Sequence, residues 1–348
     1  MTPTRATLSL AEPFDLRATL ASGAAFGWGR YRRGRLLAYG DPDADAWRTA
    51  PTYGCVLRLR QPSADRVDIE CSVSKVDHPA LPQPMAPDEF VRWYFRMEEP
   101  LAEVEKRICV DPHVAEAVRR LPGLRLIRVE PVECLLTFLA SPQNRIAKIA
   151  LILNAVSRHY GEPVETPWGR FSLPPAPPRL AAARASRLAA CGLRYGLPQA
   201  RNMIRTFRRI SGYGSPLSRL RRERVGVRVA DYDFFKTHHA AACPYETAWT
   251  AVQSACMGAG PKVSDCVCLF ALGHLEAVPV DVHVFNSTLR LYRAHLRGLR
   301  ATDADHLTAR EYRRIGDFYR ARFGRFAGYA QQYLFTAERL RRGFYRPA

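Results

Sequence analysis

The chain has 348 residues, 47% hydrophobic and 24% charged, enough apolar material for a folded protein of two or three modules and too much for a disordered one. Its formal charge is +19, from 52 Lys and Arg against 33 Asp and Glu, with basic residues spread along the whole length. A polyanionic partner is expected, nucleic acid first among them. The longest apolar runs, such as Cys266 to Leu272, fall far short of the roughly 18 residues of a membrane span. Residues 1–11 lack a secretory pattern, so the chain is expected inside the cell.

From about Leu8 to Val73 the pattern is short and alternating. Cys55-Val-Leu-Arg-Leu-Arg and the run from Arg66 to Val73 predict period-two strands bounded by Gly, Pro and Asp, hence an antiparallel sheet. From about Asp88 the period becomes helical: Ile146, Ile149, Leu153, Val156 and Tyr160 mark one helix face, with Gly161 at its end. The run from Ser172 to Arg179 holds four prolines and predicts a loop between helices. Arg339 to Arg346 reads as a frayed, solvated tail. The fold class is therefore α+β, with the sheet first and the helices after it.

Nine cysteines, an odd number in mostly apolar surroundings, read as reduced buried thiols. None forms a CxxC pair, and no cysteine follows Cys266 and Cys268, so no transition metal is expected.

The most informative segment runs from Ala255 to Leu272. Gly258 and Gly260 permit a tight hairpin whose outward backbone amides can hold a phosphate, and a helix-hairpin-helix is expected at about 246–272. Taken alone, a Gly-x-Gly is equally an ordinary turn between two helices. Lys262 follows at once, and further on Asp281 stands as an N-cap, with Val280 and Phe285 placed for a hydrophobic staple. Either residue alone would be a solvated lysine or a structural cap.

Taken together, these residues resemble the 8-oxoguanine DNA glycosylases of eukaryotic type, within the helix-hairpin-helix glycosylase superfamily. The resemblance spans nearly the whole chain in four ordered blocks. They are Phe14-Asp-Leu with Ser22-Gly-Ala-Ala-Phe-Gly-Trp, Gly123 to Phe138 with Ser141 to Ile149, Gly258 to Phe285, and Phe323 to Phe335. It implies an N-terminal antiparallel sheet domain of TATA-binding-protein type (1–122), followed by a helical glycosylase domain (123–348).

The resemblance also implies an activity: extrusion of 8-oxoguanine from duplex DNA, Lys262 attack at C1′, and strand scission through a Schiff base. Asp281 would stabilise the charge developing on the sugar and help to activate Lys262. Gly23 would accept the N7 hydrogen that only the oxidised base carries. Gln331 would read the Watson–Crick edge, and Phe335 and Cys266 would stack on the two faces, although core packing also explains these last two. His283 matches a position near the flanking phosphate, or is a histidine on a helix face. Gly258 and Gly260 would contact the DNA backbone.

The segment Ser141-Pro-Gln-Asn-Arg-Ile-Ala-Lys departs from the family. It places Gln143, beside Asn144, where an asparagine fills the vacated stack, and Lys148 where an arginine meets the orphaned cytosine. Tyr195 corresponds to the wedge tyrosine, and Arg194 and Arg201 are candidates for reading the orphaned base. Met257 replaces a hairpin proline, with Pro261 just before Lys262. No cofactor is expected, with a monovalent cation at the hairpin carbonyls left open. The expected partner is double-stranded DNA carrying oxidised guanine, bound by a monomer associated with the chromosome. The competing readings are a glycosylase for another damaged purine and a non-catalytic helix-hairpin-helix DNA-binding protein.

Overall fold

The structure is a computed structural model that describes residues 2–32, 34–39, 46–211, 232–301 and 304–343. Six strands form one antiparallel sheet: β1 (Thr4–Ser9), β2 (Gly29–Arg32), β3 (Arg35–Tyr39), β4 (Arg48–Thr52), β5 (Cys55–Ser63) and β6 (Arg66–Cys71), in the order β1-β6-β5-β4-β2-β3. The predicted alternation holds where the sheet is central. Leu57 and Leu59 of β5 are buried, while Arg58 and Arg60 leave the other face and pair at 2.7 Å with Glu70 and Asp68, their partners in register on β6. Trp47 and Trp168 lie 4.9 and 5.1 Å from the Arg58 guanidinium, so much of the sheet's outer charge is already neutralised or stacked.

The sheet region is not all strand. Helix α1 (Leu16–Ala21) intervenes after β1, started by Asp15, whose carboxylate accepts from the Ala18 amide at 2.7 Å. Helices α2 (Pro87–Tyr94), α3 (Leu101–Ile108) and α4 (Pro112–Arg120) follow the sheet, then the fully buried α5 (Pro131–Ala140). Helix α6 (Ile146–Tyr160) buries the expected face and ends at Gly161.

The proline-rich run is corrected in its setting. It is preceded by a small hairpin, β7 (Pro163–Thr166) and β8 (Gly169–Ser172), and its last prolines open α7 (Pro177–Ala181), since Pro177 occupies a first-turn position that needs no amide donor. Then come α8 (Ala185–Ala189), α9 (Gly196–Ile210), α10 (Asp233–Thr237), α11 (Tyr245–Ala255), α12 (Pro261–Phe270), α13 (Val282–Tyr292), α14 (Ala309–Phe323) and α15 (Ala327–Arg341).

The Arg-rich end is not a frayed tail as far as it is described. Arg339 is buried within α15, and Arg341 and Arg342 each bind Glu338 at 2.7 Å; residues 344–346 lie outside the described residues.

One continuous core runs from the sheet into the helices. Asp111, fully buried at the start of α4, shows how the two regions lock: it accepts from Tyr292 of α13 at 2.9 Å and pairs with Arg322 of α14 at 2.6 Å. Helix α5 lies against α12, where Phe138 stacks on Phe270 with centroids 5.9 Å apart. This packing presents the C-terminal end of α5 to the first turn of α12. Among the described residues no helix is long and apolar enough to cross a membrane.

Candidate active site

The hairpin joins α11 to α12. Gly258 has φ +80°, a backbone conformation that L side chains rarely adopt, and a Cβ there would approach Asn202 Nδ2 of α9 to 3.1 Å. Gln253 straps the turn: its Nε2 donates to the Ala259 carbonyl at 2.7 Å and its Oε1 accepts from Ser264 Oγ at 3.0 Å. The Met257 amide donates to Thr206 Oγ1 at 2.8 Å, which anchors the hairpin on α9 through a donor that a proline at this position would lack.

Gly260 is the N-cap of α12 and Pro261 its first residue, so Lys262 stands in the opening turn, while residues 263–270 are buried. Its ammonium donates to Ser141 Oγ at 3.3 Å and lies 4.7 Å from the centroid of Phe138, both at the C-terminal end of α5. One turn further on, Cys266 is 2% exposed. Burial pushes its thiol up to about 12, with Lys262 opposing the shift and Asp265 and Asp281 adding to it. The charges of Lys262 and Asp281, on two separate elements, are thus both felt at the Cys266 thiol. Among the described residues no ion pair joins them directly.

Asp281 caps α13 as expected. Its Oδ1 accepts from the amides of His283 and Val284, each at 2.9 Å, and Val280 and Phe285 are buried on either side. His283 meets the Phe335 ring edge-on, with centroids 5.6 Å apart and planes at 84°. Burial holds the His283 imidazole below its usual range, opposed first by Asp281 and reinforced by Arg339 and Arg342.

Phe335 belongs to α15 and faces Gly23, which has φ +83°; a Cβ on Gly23 would lie 3.1 Å from the Phe335 ring, so backbone and ring are in close contact only because the residue is glycine. Gln331, one turn before Phe335, is 2% exposed, and its Oε1 has no hydrogen-bond partner. A buried amide with an unmatched acceptor suits a polar ligand edge.

The residues expected on the DNA side are arranged as follows. Gln143 has φ +53° and its Oε1 accepts from Arg194 Nε at 3.2 Å, so two candidates from separate elements meet. Tyr195 is 48% exposed at the start of α9, and its amide donates to Gln199 Oε1 at 3.1 Å, while Gln199 Nε2 donates to the Leu139 carbonyl at 2.9 Å. Asn144 turns inward, its Nδ2 donating to the Ala140 carbonyl at 2.9 Å, which makes it a turn-shaping residue. Lys148 crosses the Gly192 turn, its Nζ 2.9 Å from where a Cβ would sit. Arg201 is exposed on α9 beside Asn202, with Arg205 one turn on. Sequence reasoning missed Ser141, Phe138, Asn202 and Gln253, whose partners are set by packing. Among the described residues no cluster of three or more His, Cys, Asp or Glu side chains is placed for a metal.

Residues 7–135 match the profile described as the N-terminal domain of 8-oxoguanine DNA glycosylase. The match runs from the sheet into α5, and over these residues the chain resembles that domain. Among its relatives are an N-glycosylase/DNA lyase of Arabidopsis thaliana, 29% identical over 66% of this chain, and one of Saccharomyces cerevisiae, 27% identical over 70%. These alignments span 55% and 65% of the relatives' own lengths. The fold resembles an 8-oxoguanine glycosylase/lyase of Clostridium acetobutylicum, solved with double-stranded DNA containing cytosine opposite 8-oxoG. The TM-score is 0.69 at 21% identity, with 99% of this chain and 100% of that one covered. The α+β order of this fold, sheet before helices, is the order read from periodicity.

Proposed function

We propose that the chain is a base-excision DNA glycosylase with an associated lyase activity, acting on 8-oxoguanine in duplex DNA. The observation that carries this reading is the placement of Lys262 directly after the Gly258 hairpin, its ammonium at Ser141 and Phe138, with Asp281 and His283 at the head of the helix that borders the Gly23 and Phe335 wall. In this reading residues 1–122 support the loop that bears Gly23, and residues 123–348 supply the hairpin, the nucleophile and the aromatic wall. The protein acts as a monomer on chromosomal DNA.

The hairpin at Gly258 and Gly260, with the exposed Arg201, grips the phosphates, and the Arg194–Gln143 pair beside Tyr195 fills the space left by the extruded base. In the pocket the Gly23 carbonyl accepts the N7 hydrogen of the oxidised base, Gln331 pairs with its Watson–Crick edge, and Phe335 covers one face. Neutral Lys262 leaves Ser141 and Phe138 and forms a bond to C1′ as the bond to the base breaks, the base departing with a proton. The Asp281 carboxylate stabilises the positive charge that develops on the sugar. Ring opening then gives the imine, and loss of the C2′ proton expels the 3′ phosphate.

Borohydride trapping tests this with one 8-oxoguanine opposite cytosine, using the native chain, Lys262→Gln and an undamaged control. A covalent adduct confined to the native chain on damaged DNA is expected. An adduct formed equally by Lys262→Gln would remove the nucleophile assignment. Release of a different base in preference to 8-oxoguanine would change the substrate, and binding without base release would leave a DNA-binding protein only.

A further inference from the structure

Two side chains of α15 hold the loop that presents Gly23. Gln332 Nε2 donates to the Ser22 carbonyl at 2.6 Å, and Arg339 Nη1 donates to the Ala21 carbonyl at 2.6 Å. Both side chains are buried, 3% and 6% exposed. The Ser22 carbonyl belongs to the peptide plane that ends at the Gly23 nitrogen, so fixing it orients that plane; the Gly23 carbonyl is then set by its own two backbone torsions alone. Arg339 has a second contact, its guanidinium lying 5.4 Å from the centroid of Phe335. One arginine therefore ties the recognition loop to the aromatic wall that the loop touches.

Resting on the reading above, we infer that Gln332 and Arg339 are positioning residues that set selectivity for the oxidised base. A carbonyl facing N7 discriminates only if it is held firmly. With 8-oxoguanine it gains a hydrogen bond, whereas with guanine two lone pairs oppose each other. A loop free to swing away relaxes the repulsion and loses the bond. Neither side chain belongs to the Lys262 and Asp281 machinery, so the clamp serves base reading and not the chemistry at C1′.

The test uses the full chain and two duplexes, one with 8-oxoguanine opposite cytosine and one with a preformed abasic site. Gln332→Leu and Arg339→Met remove the donors while keeping most of the volume, and Arg339→Lys restores a donor. Single-turnover excision of 8-oxoguanine should fall by roughly tenfold to a hundredfold in the first two variants. Cleavage at the abasic site should stay within about twofold of native, because no base needs reading there. Arg339→Lys should recover most of the excision rate. Equal losses on both duplexes would mean a merely structural role and overturn the inference, as would unchanged excision. A native chain that cleaves the abasic site but leaves 8-oxoguanine in place would overturn the substrate reading and the inference with it.

Discussion

The Lys262 ammonium rests over the face of Phe138, 4.7 Å from the ring centroid. The ring and the Ser141 hydroxyl hold the amine at the end of α5, so on the proposed reading Lys262 must leave them to attack a sugar. Replacing it with Gln keeps a side chain long enough to reach Ser141 and removes the nucleophile. Excision and the trapped adduct should fall by roughly a thousandfold or more, while affinity for a damaged duplex stays within about threefold by fluorescence anisotropy. Native turnover in this variant would sink the assignment.

Asp281 caps α13 and, on the proposed reading, also faces the reacting sugar, and two substitutions separate these roles. Asn caps helices about as well as Asp, so Asp281→Asn should cost less than about 0.5 kcal/mol in stability. Its excision rate should drop by about a hundredfold or more, because the neutral amide cannot offset charge on the sugar. Asp281→Ala should lose the activity and, in addition, about 1 kcal/mol of stability. Single-turnover kinetics beside urea unfolding measures both, and full activity in Asp281→Asn would reduce the residue to a cap.

The parts of the site that could be read in advance are local ones. The cap at Asp281, the staple of Val280 and Phe285 and the Gly258 turn obey rules that span a few residues, and the strands β5 and β6 announce themselves by alternation. Ser141, Gln332 and Arg339 escaped because their partners lie more than a hundred residues away and no periodicity marks them. Helix α1 escaped because six residues hold too few turns for a period to show. The contact of Gln143 with Arg194, 51 residues away, could not be read in advance either, because it depends on how the segments beside α5 and α9 meet.

Arg201 and Arg205 lie one turn apart on the exposed side of α9, next to the Asn202 that touches Gly258. Each should contribute about one phosphate contact. Changing either to Ala should therefore reduce the slope of log affinity against log salt on undamaged duplex by about one unit. An unchanged slope would place the DNA on another face.

Glu130 and Glu133 are buried side by side at the start of α5. Burial raises their carboxyls to about 7 and about 8, and for Glu133 the neighbouring Glu130 adds to it. The folded state therefore keeps protons that the unfolded chain releases near pH 4.5, so stability falls as pH rises from about 5 to about 8 and then levels off. Glu133→Gln copies the protonated acid beside Thr52. It should leave the melting temperature nearly unchanged at pH 4.5 and raise stability by roughly 4 kcal/mol at pH 8.5. Scanning calorimetry at the two pH values decides this, and an equal change at both would mean that Glu133 is ionised throughout.

The bond from Gln332 to Ser22 closes a separation of 310 residues. Helix α15 is buried along nearly its whole length, so the loop at Ser22 stays without its anchor until that helix has been made and packed. Contacts of such long range are slow to form, because the entropy of closing the intervening loop must be met first. A chain cut short before α15 leaves the Ala21 and Ser22 carbonyls without their side-chain donors, so the state of the C-terminal helix is felt in a loop three hundred residues upstream.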